Sequence, residues 1–289
     1  MQAKELPLVF DCQGKKLIGI VHQVDNEAKT GVLIVVGGPQ YRVGSHRQFV
    51  LLARSLALQG IPVMRFDVRG MGDSEGAQRR FDQLDNDIRA AIDCFLFSCP
   101  QLNRVVLWGL CDAASAVIFF AYQDVRVNGM VLLNPWVFTE QGSAKTYLKH
   151  YYLQRLLSKD FWKKVFSFKF SFMQSLGSLI NLLKQAAGGH KTEPKCGKTD
   201  FIDETLPLPI RMRECLRKFS YPVLLILSGR DLTAEEFKGI VKNDIGWQTL
   251  LADPKIIRHD FAEADHTFSS EAWRGQVSAW TLDWLNKLN

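Results

Sequence analysis

Val105-Val106-Leu107-Trp108-Gly109-Leu110-Cys111-Asp112-Ala113-Ala114-Ser115 is the stretch on which the fold turns. Residues 105–107 form an apolar run of strand type and residues 109–112 a sharp turn. Ala113, Ala114, Val117, Ile118 and Ala121 then continue with helical spacing. A strand that turns abruptly into a helix presents the residue at the turn to solvent. The unpaired N–H groups at the helix start point toward the same space. The residue so presented is Cys111, which reads as a nucleophile.

Outward from that stretch the chain alternates. Residues 6–10 and 16–22 read as two strands joined at Gln13-Gly14, and residues 31–36 as a buried strand closing in Gly37-Gly38-Pro39. A helix over 48–58 carries Phe49, Leu52, Ala53 and Leu56 on one face, and Gly60 ends it before a strand over 63–68. A second helix is expected over 81–97, and a strand over 129–133 closes in Asn134-Pro135. From about 138 to 219 the sequence is aromatic, basic and irregular. Alternation resumes with a strand over 222–227 ending at Ser228-Gly229-Arg230-Asp231, a helix over 234–241, and a strand over 255–261 ending near Asp265-His266. A closing helix carries Trp273, Val277, Trp280, Trp284 and Leu288.

This pattern predicts an α/β protein with a mostly parallel, doubly wound sheet of about eight strands. Residues 1–137 and 216–289 would form the core, and residues 138–215 an insert. Ligands of such sheets bind beyond the carboxyl ends of the strands, and Gly38, Arg69, Cys111, Asp231 and His266 all fall there.

Composition bounds the chemistry. The 289 residues are 47% hydrophobic and 23% charged, which suits a packed core and not a disordered chain. The net charge of +6 is uneven: residues 142–200 hold eleven Lys/Arg and three Asp/Glu, so the remainder is slightly acidic. Basicity confined to the insert argues against nucleic acid as a partner. Six cysteines without a CxxC pair fit free thiols in a reducing cytoplasm, and residues 1–10 lack the apolar run of a signal peptide. Six histidines without an HExxH spacing give a metal site no support, and nothing calls for a cofactor.

A nucleophile, an acid and a base in that chain order, each after a strand, is the order of α/β-hydrolases, here Cys111, Asp231 and His266. Phe66-Asp67-Val68-Arg69-Gly70-Met71-Gly72-Asp73-Ser74-Glu75-Gly76, Gly229-Arg230-Asp231 and Ala264-Asp265-His266-Thr267-Phe268 each resemble that superfamily. The insert follows the sixth strand, where the superfamily often carries a cap. More narrowly, residues 36–49 (Val36-Gly37-Gly38-Pro39-Gln40-Tyr41-Arg42 onward to Phe49), with the Cys111 turn, resemble the bacterial exosortase-system-associated hydrolases of type 1, a group known from genetic context with exopolysaccharide loci. The resemblance implies a hydrolase and names no substrate.

Each role has a plainer alternative. Asp231 would orient His266 and stabilise its charged form, or simply cap the next helix. His266 would act as general base, or be a solvated loop histidine. Asp265 and Glu263 stand as reserve acids. Cysteine replaces the commoner serine, and Ala113 the last glycine of G-x-S-x-G. The oxyanion hole would use the Asp112 N–H and a second donor from the loop after Val36. Pro39 has no N–H, so that donor is Gly38 or Gln40, a choice the sequence leaves open. His46 and Tyr41 are candidate substrate-binding residues, His22 a strand residue, and Arg69 with Asp73-Ser74 a mostly structural turn.

In the insert, Tyr147, Tyr151, Phe161, Trp162 and Phe166 interleave with Lys149, Lys163 and Lys164. It reads either as a cap with solvated lysines or as an apolar roof whose basic rim takes an anionic acyl carrier or a membrane surface. The expected function is hydrolysis of a small-molecule ester or thioester through an acyl-cysteine. The rivals are an acyltransferase on the same site and a non-catalytic membrane- or partner-binding module.

Overall fold

A computed structural model describes residues 4–137, 202–203 and 205–288. β1 (Lys4–Cys12) and β2 (Lys15–Gln23) form an antiparallel hairpin. Its turn places Gln13 and Gly14 at φ 54° and 75°, the left-handed pair that matches the twist of the flanking strands. The chain continues through β3 (Thr30–Val35), α1 (Gln48–Leu58), β4 (Val63–Phe66), α2 (Asp85–Ser98), β5 (Arg104–Leu110), α3 (Asp112–Ala121) and β6 (Val127–Leu133). After the insert come α4 (Leu208–Lys218), β7 (Val223–Arg230), α5 (Leu232–Asn243), α6 (Ile245–Leu251), β8 (Ile256–Asp265) and α7 (Glu271–Leu285).

The eight strands form one sheet in the order β1-β2-β4-β3-β5-β6-β7-β8. β2 pairs antiparallel with both β1 and β4, and every pairing from β4 to β8 is parallel. The central strands are covered on both faces, which is why they read as continuous apolar runs. Leu107 and Leu132 pack with Ala114, Val117 and Phe95 on one face; Trp108 and Leu133 pack with Phe49, Leu56 and Trp284 on the other. The fold is that of the α/β-hydrolases, as expected.

Three details differ from what the sequence predicts. The turn expected over 109–112 is a single residue, Cys111, because β5 runs through Leu110 and α3 starts at Asp112. The helix expected over 81–97 begins only at Asp85, after a 3₁₀ turn at Phe81–Gln83. Phe81 is held edge-on against Trp136, ring centres 5.2 Å apart, while buried Asp87 accepts from Arg69. Third, the irregular stretch that extends to 219 ends in α4, which runs through the boundary at 215 and buries Met212, Cys215 and Leu216. Those apolar positions are hidden in the sequence among Arg211, Arg213, Glu214, Arg217 and Lys218. Residues 138–201, including the alternating segment 166–172, lie outside the described residues.

Among the described residues no helix is long and apolar enough to cross a membrane. Cys12, Cys94, Cys99, Cys111 and Cys215 are free thiols. Burial pushes Cys99 up to about 11 and Cys215 up to about 12, so both behave as small core hydrophobes.

Gly109 lets α3 lie close on β5. A Cβ there would sit 2.7 Å from the Ala113 carbonyl carbon and 2.8 Å from the Ala114 nitrogen, and neither backbone atom can yield cheaply. Gly239, inside α5, has open space around the same position. Gly109→Ala should therefore lower stability by about 2–3 kcal/mol. Gly239→Ala should raise it by about 0.5–1 kcal/mol. Urea unfolding midpoints of the two variants check the contrast.

Candidate active site

Cys111 stands between β5 and α3 with φ 62° and ψ −124°, a conformation rare for any residue with a side chain. Its N–H donates to the Leu133 carbonyl at 2.8 Å. Its carbonyl accepts the N–H of Trp136 at 3.1 Å and that of Ser115 at 3.3 Å, and the Ser115 hydroxyl donates to the Trp136 carbonyl at 2.6 Å. The strained turn is thus tied on both sides to the end of β6, and the Cys111 side chain remains half-buried.

Asp231 begins α5 and does both things the sequence allowed. Its carboxylate accepts the N–H groups of Thr233 and Ala234, each at 3.1 Å, as an N-cap. The same carboxylate lies 2.9 Å from His266 Nδ1. His266 is pushed up to about 10. The Asp231 carboxylate is the main cause and hydrogen bonding to Cys111 the next, together outweighing burial. The structure therefore brings Cys111, His266 and Asp231 into one contact chain. Of the reserve acids, Asp265 is spent on the N–H of Ser269 at 3.0 Å and on its hydroxyl, and Glu263 is exposed.

The loop after β3 closes on the start of α3. Gly38, at φ 59°, donates its N–H to Asp112 Oδ2 at 2.6 Å, and Asp112 Oδ1 accepts the Ala113 N–H at 2.9 Å. Burial raises the Asp112 pKa above the ordinary carboxylate value, against the opposing pull of the N–H groups of Gly38, Ala113 and Asp112 itself and of His266. The Gly38 N–H is thus already bonded to the residue that follows Cys111. Gln40 faces its own loop, its Oε1 taking the Ser45 N–H at 3.4 Å.

The other candidates fall as follows. His46 sits in a 3₁₀ turn at φ 53°, near enough to the His266 loop for its charge to act on Asp265. Tyr41 is exposed. His22 is fully buried, accepts from Arg65 at 3.1 Å, and is pushed down to about 4 by burial, so it stays neutral within β2. Arg69 forks onto Asp87 at 2.7–3.0 Å and is a structural residue of its turn.

Two residues that the sequence marks only as strand ends tie the site together. Buried Asn134, at φ 44°, donates through Nδ2 to Ser228 Oγ at 2.8 Å and to the His266 carbonyl at 3.1 Å. Ser228 returns its N–H to Asn134 Oδ1 at 2.8 Å and its hydroxyl to the Asp265 carbonyl at 2.9 Å. These four bonds, all buried or half-buried, clamp the ends of β6, β7 and β8 to one another. The signal for them in the sequence is a polar residue with turn chemistry directly after an apolar strand.

A cavity of about 420 Å³ between α1 and α7, lined by Leu52, Trp108, Phe268 and Val277 among others, includes none of Cys111, Asp231 or His266. Among the described residues no cluster of three or more His, Cys, Asp or Glu is placed to hold a metal ion.

A family model described as serine aminopeptidase, S33, matches residues 27–237. No curated protein matches the chain. Among solved structures, an esterase from Pyrococcus furiosus is 15% identical over 99% of this chain and 91% of that chain, with a TM-score of 0.66. Est1E from Butyrivibrio proteoclasticus, solved with ferulic acid, is 14% identical over 96% and 99%, with a TM-score of 0.59. A thermophilic esterase from Thermogutta terrifontis, solved with malate, is 16% identical over 99% of each chain, with a TM-score of 0.57. At such identities the likeness is one of fold.

The His266 pKa makes the pairing testable. It is raised from 6.5 to about 10, so the stabilisation it contributes is fully present below about 6.5 and is lost as pH rises through about 10. The melting-temperature difference between wild type and His266→Gln should be largest at neutral or mildly acidic pH and shrink through that window. A difference independent of pH would detach His266 from Asp231.

Proposed function

The chain belongs to the serine aminopeptidase S33 family of hydrolases, with an α/β-hydrolase fold, and on that premise we propose that it cleaves an ester or thioester through an acyl intermediate on Cys111. The observation that carries this reading is the strained Cys111 turn facing a histidine whose far nitrogen lies 2.9 Å from a capped carboxylate.

In this reaction His266 takes the thiol proton, and Asp231 stabilises the imidazolium that results. The thiolate adds to the acyl carbon, and the charge that develops on the acyl oxygen is met by backbone N–H groups of Asp112 and the Gly38 loop. Collapse of the adduct breaks the bond to the leaving alcohol or thiol, which His266 protonates. His266 then removes a proton from water, the water attacks the acyl-cysteine, and the thiol and free acid are restored. Cysteine at a position the family names for serine keeps this logic, because a helix start and an imidazolium both favour a thiolate.

A small-molecule acyl substrate fits esterase relatives that share the fold. The thioester preference rests on the cysteine itself and on the basic insert. The narrower kinship with exosortase-associated hydrolases rests on the loop and turn quoted above. Transfer of the acyl group to an alcohol acceptor would use the same intermediate, and product analysis with added acceptor separates the two.

The test has two arms. Iodoacetamide at neutral pH should alkylate Cys111 faster than half-buried Cys94, and His266→Ala should abolish that advantage, as read by peptide mass spectrometry. Cys111→Ala should lower turnover of an acyl ester by about 10³-fold or more. Alkylation of Cys111 no faster than that of half-buried Cys94 would reduce the site to an inert thiol on a hydrolase scaffold.

A further inference from the structure

The two donors expected to meet an oxyanion already have a partner. The Gly38 N–H, from the loop after β3, donates to Asp112 Oδ2 at 2.6 Å. The carboxylate also draws on the N–H groups of Ala113, at 2.9 Å, and of Asp112 itself. Donors from two separate elements thus converge on one anion supplied by the residue next to the nucleophile. The approach is close: a Cβ on Gly37 would sit 2.3 Å from Asp112 Oδ1, so only glycine leaves the carboxylate its place. Ionised carboxylates are among the strongest acceptors for such N–H groups.

We propose that the Asp112 carboxylate is a built-in occupant of the oxyanion hole, which an acyl oxygen must dislodge, and that Asp112 thereby holds down turnover of short and long acyl esters alike. The proposal rests on the acyl-cysteine reading above. A carbonyl oxygen is a weaker acceptor than a carboxylate, so it wins the N–H groups only when the rest of the substrate brings binding energy of its own. Remote binding energy spent in this way lowers the barrier at the reacting centre. Rotation of Asp112 about χ1 releases the donors without moving the backbone that holds Cys111.

Two measurements decide the matter. In ¹⁵N-labelled protein, acetate ion should leave the Gly38 amide resonance of the wild type unmoved and shift it saturably in Asp112→Ala, where the anion site is vacated. Asp112→Asn, which keeps the side chain's shape and removes its charge, should respond in the same direction and covers the case of a poorly folded alanine variant. A Gly38 resonance that acetate moves equally in wild type, or moves in neither variant, overturns the occupancy. In turnover, the kcat/KM of p-nitrophenyl acetate and that of p-nitrophenyl octanoate should each rise about tenfold in Asp112→Asn, the scale of one charged hydrogen bond. An unchanged or lower kcat/KM for both esters removes Asp112 as an inhibitory occupant. If no form cleaves either ester and Cys111 resists alkylation, the acyl-cysteine reading and the inhibitory role fall together, while the acetate titration still supports or overturns the carboxylate's occupancy of the hole.

Discussion

The backbone of Cys111 is held where few side-chain-bearing residues go, and the surrounding structure is arranged to keep it there. A strained residue of this kind costs on the order of 1–3 kcal/mol and persists only if its neighbours over-determine it. Here they do so from three sides. Gly109 brings α3 down onto β5, the Leu133 carbonyl and Trp136 N–H hold the peptide groups on either side of Cys111, and Gly37 admits the opposing loop. Any one of these could be read as ordinary packing. Together they aim a thiol and a set of helix N–H groups at one point above the sheet.

Around that point the carboxylates differ by which groups claim them. Asp231 is fixed by two backbone donors, so its remaining capacity is directed at His266. Asp265, next in sequence to the histidine, is consumed by Ser269 and is unfit for the same work. Asp67 and Asp87 are fully buried and matched to Arg42 and Arg69, which makes the turn after β4 a rigid wall of charge pairs. A buried pair of this sort contributes more to fixing geometry than to net stability, because desolvation offsets most of its attraction. Asp112 differs from these four in that its hydrogen bonds come from backbone N–H groups beside the nucleophile.

Much of this was legible in the sequence because it rests on periodicity and on strand ends. The apolar runs of β3, β5 and β6 could not be anything but doubly covered strands, and α1 fell on its expected residues. Cys111, Asp231 and His266 could be named because each follows a strand, and parallel strands bring their ends to one side. What the sequence hid is set by side-chain partners distant in the chain. The late start of α2 depends on Asp87 meeting Arg69 and Phe81 meeting Trp136. The apolar stripe of α4 is narrow and crowded by charges, so its period did not stand out. The carboxylate bound at the Gly38 N–H depends on the path of a loop and on a rotamer, neither of which leaves a pattern in the sequence.

The clamp of Asn134, Ser228 and His266 has a consequence for how the molecule comes into being. Its bonds close loops of 94 and 132 residues. Contacts so distant in sequence form late, because the entropy of closing the loop must be met before the contact returns anything. During synthesis β3, β5 and β6 are all made before His266, which follows Cys111 by 155 residues. A growing chain therefore carries the Cys111 thiol without its histidine until β8 has been made.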